Sequence, residues 1–293
     1  MNIYTKLFSK ERSFFWSAPA ILWQVLFLMI PLCLIVYSAF IPHHKLQAGH
    51  TVWELVRSFF TQPYLKVIAR SVFLSSATAL LCLLCAYPLA YVASFKMKRI
   101  KNIFLFLLIL PFWTSLLVLA YSWFFILERH GLINSILLKI GIISEPLVLL
   151  NTPGAIYITM VYCYLPFMVI PLYSALEKID YRLVEASLDL GASWRTTFLK
   201  LILPLSMPGI RTGILLVLIP AFGEFVIPSL MGGNKQLYVG SLIAHYFVTA
   251  RDFRSGSLFT VIAAVCLIAL TMVWYFIIPF LVNRGLLQKG RDT

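Results

Sequence analysis

The sequence predicts an all-α, polytopic membrane protein with six transmembrane helices. Hydrophobic residues make up 61% of its 293 residues and charged residues only 12%, whereas soluble domains average about 45–50% apolar and about 25% charged residues. Six long apolar runs supply the spans, because each can cross a hydrocarbon core of about 30 Å as a helix. The runs lie near residues 15–40, 67–95, 103–127, 153–176, 208–230 and 257–283.

The positive charges predict how these spans are oriented. Of the 24 Lys and Arg residues, 15 lie in four segments at one set of span ends, and positive residues tend to stay on the cytoplasmic side. Both termini are therefore expected to be cytoplasmic. Because the basic residues are spread over short loops, the net charge of +13 does not indicate nucleic-acid binding. The 15 residues are Lys6, Lys10, Arg12, Lys96, Lys98, Arg99, Lys101, Lys178, Arg182, Arg195, Lys200, Arg211, Arg284, Lys289 and Arg291.

The first apolar run is expected to remain in the mature protein as an anchor helix. It is too long for the apolar part of a secretory signal, and no convincing small-residue cleavage site follows it. The cysteines all lie in apolar runs, so we expect them to pack against neighbours rather than form disulfides or bind metal. They are Cys33, Cys82, Cys85, Cys163 and Cys266.

A polar segment between the fourth and fifth runs has the pattern of two short helices separated by a glycine. Asp180 is placed to cap a helix that starts near Tyr181, and Gly191 can end that helix because glycine tolerates positive φ. Ser193 can cap a second helix, which Pro204 is expected to end. We call residues 177–205 the hook.

The hook resembles the EAA loop of ABC importer permeases, whose pattern is E-A-A, three residues, G, nine residues and I-x-L-P. The matching residues are Glu185, Ala186, Ser187, Gly191, Leu203 and Pro204, with Ser187 replacing the second alanine and Leu201 the isoleucine. The resemblance implies the type I importer permease fold, also called MetI-like. It also implies that the hook is a coupling helix that docks on a separate ATPase.

Glu224 is the only acidic residue well inside a predicted span, where Pro220, Gly223 and Pro228 surround it. A carboxylate at such a depth costs about 2.5–3.5 kcal/mol on insertion scales and usually faces water, a partner or a substrate. Two interpretations stay open at this point. Glu224 could lie on a substrate path, or it could be structural, either paired with Arg70 or protonated and hydrogen-bonded within the bundle.

The sequence around Glu224 resembles the spermidine/putrescine branch of the importer permeases, in its first permease subunit type. The resemblance rests on Pro220 to Pro228, Leu230-Met231-Gly232-Gly233, Leu110 to Ser115 and Leu165 to Tyr173. It implies a polyamine substrate, whose ammonium groups acidic side chains and aromatic faces can hold. The candidate substrate path is Glu224 with Trp113, Tyr121, Tyr164 and Phe222.

The resemblance also implies a multi-pass protein of the bacterial inner membrane that works with partners. These are a second homologous permease, two copies of an ATPase and an external substrate-binding protein. The chain has no G-x-x-x-x-G-K-S/T loop, so ATP and Mg²⁺ are expected on the ATPase, and no cofactor or enzymatic activity is expected here. The implied regions are an anchor helix with the first external loop (1–66), a permease core (67–283) and a cytoplasmic tail (284–293).

Three alternatives remain from the residues alone. Glu224 could be the cation or proton site of an ion-coupled secondary transporter. Gly223-Glu224-Phe225 also resembles sulfate and molybdate permeases, so an ABC permease for another small solute is possible from those residues. A membrane-embedded enzyme is the third class, but the sequence contains no recognisable catalytic constellation.

Overall fold

The computed structural model describes residues 4–40, 52–97, 99–233 and 236–288, and no β-strand occurs among them. Residues 41–51 of the predicted first external loop and 289–293 of the tail therefore lie outside the described residues, as do three positive residues used for the orientation, Lys98, Lys289 and Arg291. The same holds for the side chains of Lys6, Lys10, Arg12 and Arg284.

Fourteen α-helices occur in the described ranges, and their bounds follow in chain order. They are α1 (Tyr4–Phe40), α2 (Val52–Phe59), α3 (Gln62–Phe95), α4 (Lys101–Ile109), α5 (Leu116–Leu127), α6 (Leu132–Ile140), α7 (Pro153–Leu176), α8 (Tyr181–Asp189), α9 (Trp194–Thr197), α10 (Leu203–Leu205), α11 (Met207–Phe222), α12 (Val226–Gly232), α13 (Val239–Ala244) and α14 (Phe253–Gln288).

Five helical stretches in the described chain are long and apolar enough to cross a membrane. They are Pro19–Phe40, Gln62–Phe95, Leu116–Ile140, Pro153–Leu176 and Phe253–Ile278. A sixth exists when Trp194–Leu205 and Met207–Phe222, which are bent by 63° relative to each other, are counted as one span. The all-α polytopic fold is therefore confirmed, with four of the six predicted runs forming continuous helices.

The prediction of one continuous helix over 103–127 is wrong. α4 ends at Ile109, a 3₁₀ turn covers Leu110–Trp113, and Thr114 is extended. Pro111 has no N–H to continue the helical bonding pattern and its ring crowds the preceding turn. The Thr114 N–H and hydroxyl instead donate to the carbonyl of Pro111, at 3.1 and 2.7 Å, and so close the turn.

The predicted span at 208–230 is also interrupted. α11 ends at Phe222, Gly223 to Phe225 are not helical, and α12 begins at Val226. The physical reason is Pro228, which has no N–H for the carbonyl of Glu224 and whose ring would clash with that carbonyl in a continuous helix. Glu224 therefore lies at a break between two helices.

Small residues pack the central helices together. One face of α3 buries Ser75, Ala79, Cys82, Ala86, Ala90 and Ala93. On α11, Gly209 and Gly213 are four residues apart and face α7, which is the small-xxx-small pattern of close membrane-helix contacts. A Cβ on Gly209 would lie 2.7 Å from the Pro171 carbonyl oxygen. This close packing of α11 on α7 positions both the hook and the break at Glu224.

The described residues within 1–61 and 243–264 form a separate compact unit from the described residues within 62–242 and 265–293. In the smaller unit the buried ring of Phe59 packs against Tyr246 and Phe259, with ring centroids 6.3 and 5.5 Å apart. All candidate site residues lie in the larger unit.

Gly209→Ala is expected to lower the free energy of unfolding by about 1–3 kcal/mol, because the added methyl overlaps the backbone of α7 and forces the helices apart. Thermal unfolding of the purified protein in detergent measures this. Gly154→Ala is the matched control, since its Cβ would meet only the Thr152 hydroxyl at 3.7 Å. Equal stability of the two variants would contradict the close α11–α7 contact.

Candidate functional site

The first arm of the hook is α8, and its ends are capped as the sequence predicts. The Asp180 carboxylate accepts a hydrogen bond from the backbone N–H of Arg182 at 3.0 Å. Gly191 has a φ of 85° and ends the arm, where its N–H donates to the carbonyl of Leu188 at 2.9 Å. Val184 is the buried residue of this helix and anchors it to the bundle.

The second arm begins at Ser193, whose side-chain oxygen accepts from the backbone N–H of Thr196 at 3.3 Å. After α9, residues Phe198–Ile202 form a π-helical turn, and α10 follows. The prediction that Pro204 ends this helix is wrong, because the helical path continues to Leu205. The π-helical turn lies directly before Pro204, so the regular i→i−4 bonding is already altered where the proline N–H is missing.

A side-chain hydrogen bond holds the two arms together. The hydroxyls of Ser187 and Thr197 lie 3.0 Å apart, and Thr197 is buried. Ser187 occupies the place of the second alanine in the EAA pattern, and an alanine could not form this bond. The sequence shows Ser187 only as a residue of similar size, so the contact with Thr197 could not be predicted.

The outward side of the hook is apolar and unpartnered within the described chain. Leu190 is 89% exposed, and Glu185, Ala186 and Leu183 are also exposed. Leu203 and Pro204 are half-buried at the base of the second arm. Exposed apolar side chains next to a carboxylate, on a capped helix, form a surface of the kind that a protein partner covers.

An ion pair ties the start of the hook to α4. The Lys101 ammonium donates to the Glu177 carboxylate at 2.6 Å. This bond lowers the pKa of Glu177 and raises the pKa of Lys101 from their usual values. Both side chains are exposed, so the pair adds little to stability. It links the residue after α7 to the first residue of α4.

The Glu224 carboxylate lies at the break between α11 and α12 and is only 7% exposed. Its Oε1 accepts from the backbone N–H groups of Phe225, Val226 and Ile227, at 3.0, 2.9 and 3.4 Å. Its Oε2 accepts from the Tyr164 hydroxyl of α7 at 2.6 Å. The carboxylate therefore satisfies the freed backbone groups of the break and also joins it to α7.

Helix α13 packs directly on this break. A Cβ on Gly240 would lie 2.1 Å from the Gly223 carbonyl oxygen, so only glycine fits there. The neighbouring Val239 donates its backbone N–H to the Ser71 hydroxyl of α3 at 2.8 Å. The region around Glu224 is thus held by α3, α7 and α13 together.

The structure brings some of the predicted path residues together and separates others. Tyr164 and Phe222 are buried, the first bonded to Glu224 and the second at the end of α11. Trp113 is 77% exposed and Tyr121 is 44% exposed, and neither forms a hydrogen bond with Glu224 in the described chain. The ring contact of Trp113 is with Phe106, at 5.9 Å.

Arg70, named as a possible partner of Glu224, forms no ion pair with it in the described chain. Arg70 and Lys66 instead line a cavity of about 580 Å³ at the start of α3 and α7, together with Asn151, Tyr157 and Tyr238. Two positive charges in this cavity would repel an ammonium group. The cavity is therefore not suited to a polyamine.

Comparisons with known proteins agree on the family. Residues 86–286 match the family described as binding-protein-dependent transport system inner membrane component. The chain is 39% identical over 255 residues to the spermidine/putrescine transport system permease protein PotB of Haemophilus influenzae, covering 86% of this chain and 89% of that protein. It is 37% identical over 264 residues to PotB of Escherichia coli, covering 89% and 96%.

A solved structure of a bacterial ABC transporter involved in the import of the acidic polysaccharide alginate has the same fold. The TM-score is 0.69, with 97% of this chain and 99% of that chain covered at 16% identity. The predicted importer-permease fold is therefore confirmed. The chain belongs to the family of inner-membrane components of binding-protein-dependent transport systems.

Proposed function

We propose that this chain is a permease subunit of an ATP-driven importer of polyamines, putrescine or spermidine. The observation that carries the proposal is that α11 links two functional features. The hook ends two residues before its first residue, Met207, and the buried Glu224 lies two residues after its last residue, Phe222. The helix has 16 residues and is about 24 Å long, so one rigid element connects a cytoplasmic docking surface with a negative charge deep in the bundle.

The hook is proposed to be the docking surface for the ATPase. Its exposed face of Ala186, Leu183 and Leu190 suits a hydrophobic cleft, with Glu185 available for a charged contact at the edge. The Lys and Arg distribution supports a cytoplasmic position for the hook and both termini, where ATP is available. ATP and Mg²⁺ would bind two copies of that ATPase, and a second homologous permease would complete the path.

Glu224 is proposed to be the site that receives an ammonium group of the substrate. A carboxylate can accept about four hydrogen bonds, and among the described residues the Glu224 Oε2 has the Tyr164 hydroxyl as its one hydrogen-bond donor. An ammonium could therefore bind Oε2 while the backbone bonds to Oε1 keep the break intact. Since Glu224 is almost fully buried, the site is closed in this conformation, and movement of α11 relative to α7 would open it.

The alternatives are less consistent with these observations. An anion permease is disfavoured because relatives at 37–39% identity are spermidine/putrescine permeases. An ion-coupled secondary transporter is disfavoured because the family works with a binding protein and the relatives are subunits of transport systems. An external binding protein, as in the alginate system, is the proposed source of substrate.

The direct test of the function is reconstitution in lipid vesicles with candidate permease, ATPase and binding-protein subunits. We expect uptake of labelled putrescine or spermidine that requires ATP and persists with an uncoupler. Unlabelled polyamines should compete with it, while sulfate should not. Uptake that survives ATP depletion and collapses with the uncoupler would instead identify an ion-coupled transporter.

Ala186→Glu on the exposed face of the hook should reduce ATP-dependent uptake by at least about tenfold, because a charge replaces an apolar contact at the docking surface. Copurification with the ATPase should fall in parallel, while membrane insertion of the chain stays normal. Ala250→Glu, the same change at an exposed position outside the hook, is the matched control for copurification. Normal copurification of the Ala186→Glu chain would refute docking through this face.

Glu224→Gln separates the charge of the side chain from its structural bonds, because the amide oxygen still accepts from the backbone N–H groups of α12. We expect the polyamine transport rate to fall by about 10- to 100-fold, as for loss of a charged hydrogen bond. Thermal stability and ATPase copurification should change little. A variant with wild-type transport would show that Glu224 has only a structural role.

A further inference from the structure

α3 presents three aromatic rings to the hook. Tyr87, Tyr91 and Phe95 are four residues apart, which places them on one face of a helix. Each ring contacts a different ring across the gap, with centroid separations of 5.3, 5.8 and 5.5 Å. The partners, in the same order, are Phe198, Trp194 and Tyr181. We call these six residues the aromatic ladder.

The geometry of the ladder is specific. The Tyr87–Phe198 and Tyr91–Trp194 rings are near-perpendicular, at 73° and 74°, which is a preferred arrangement because a ring edge meets a ring face. Tyr91 and Phe95 also contact each other at 5.0 Å. The ladder reaches both arms of the hook, since Tyr181 starts the first arm while Trp194 and Phe198 belong to the second.

The ladder also holds the bend between the hook and α11. The Tyr87 hydroxyl lies 3.0 Å from the hydroxyl of Ser206. Ser206 is fully buried at the junction of the two helices bent by 63°, and its hydroxyl also donates to the carbonyl of Leu203 at 2.9 Å. Tyr87 therefore fixes the bend in addition to packing on the second arm.

The other end of α3 reaches the region around Glu224. The Ser71 hydroxyl accepts from the backbone N–H of Val239. The next residue, Gly240, packs on the carbonyl of Gly223 at the break that Glu224 closes. α3 runs as one helix of 34 residues, with Pro88 inside it, and it connects the hook to this break. The hook is also connected to the break through α11, but that path includes the π-helical turn and the 63° bend.

We propose that the aromatic ladder is the positioning element that makes the hook and the cytoplasmic end of α3 move as one body. Motion of the docked hook then reaches the break at Glu224 through α3 as well as through α11. This inference rests on the proposed function, in which the hook docks on an ATPase. It assigns Tyr87, Tyr91 and Phe95 to coupling rather than to binding of ATPase or substrate.

The test is the number of ATP molecules hydrolysed per polyamine transported, measured in the reconstituted complex with loaded binding protein. Tyr91→Leu keeps an apolar side chain but removes the edge-to-face ring contact. We expect this ratio to rise by about 2- to 10-fold, the effect of losing one such contact. Tyr91→Phe keeps the ring and should have the wild-type ratio. Phe73→Leu, at an exposed ring of α3 outside the ladder, is the control.

Tyr87→Phe removes only the hydroxyl that bonds Ser206, and it covers the case in which Tyr91→Leu fails to assemble. Its ratio should rise by about 2- to 5-fold, as for loss of one neutral hydrogen bond. If Tyr91→Leu and Tyr87→Phe both give the same ratio of ATP to polyamine as Phe73→Leu, the proposal is overturned. If the rate of ATP hydrolysis by the wild-type complex does not change when loaded binding protein is added, the proposed function is overturned instead. The two failures are therefore distinguishable.

Discussion

A helix that breaks inside a membrane protein must find new partners for the backbone groups that the break releases. Each unsatisfied group costs several kcal/mol where no water is available. α11 is broken at both ends, and a side chain meets this requirement at each. Glu224 accepts three N–H groups at the start of α12, while Ser206 bonds the carbonyl of Leu203 and the Tyr87 hydroxyl at the other end. The hook and the buried carboxylate both depend on these bonds.

Much of the fold follows from local sequence because apolar runs and capping residues act locally. The run at 153–176 has the bounds of α7, and Asp180, Gly191 and Ser193 have the capping roles that their types and spacing predict. Prolines are harder to interpret from sequence. Pro111 and Pro228 accompany interruptions of predicted spans, whereas Pro204 does not end its helix. The outcome depends on whether a side chain or a π turn elsewhere can satisfy the freed backbone.

The candidate site was predictable only as a set of residue types. Glu224 is conspicuous because a carboxylate in an apolar run is rare. Its partner is 60 residues away along the chain, and Tyr87 and Ser206 are 119 apart. No local pattern identifies such pairs. The sequence predicts Tyr164 as an aromatic face for a cation, but it acts in this structure through its hydroxyl. Trp113 and Tyr121 lie exposed on the surface of the chain.

The bond between Tyr164 and Glu224 gives the proposed function a means of linking opening to substrate. It joins α7 to the break after α11, so separation of these elements would leave a charged oxygen without its donor. A hydrogen bond to a charged group contributes about 1.5–3 kcal/mol, which corresponds to a shift of about 10- to 150-fold in the population of the open conformation. An ammonium that binds the same oxygen replaces the lost donor and removes this penalty. Under the proposed function, a cationic substrate would therefore favour the open conformation more than an uncharged one of the same size.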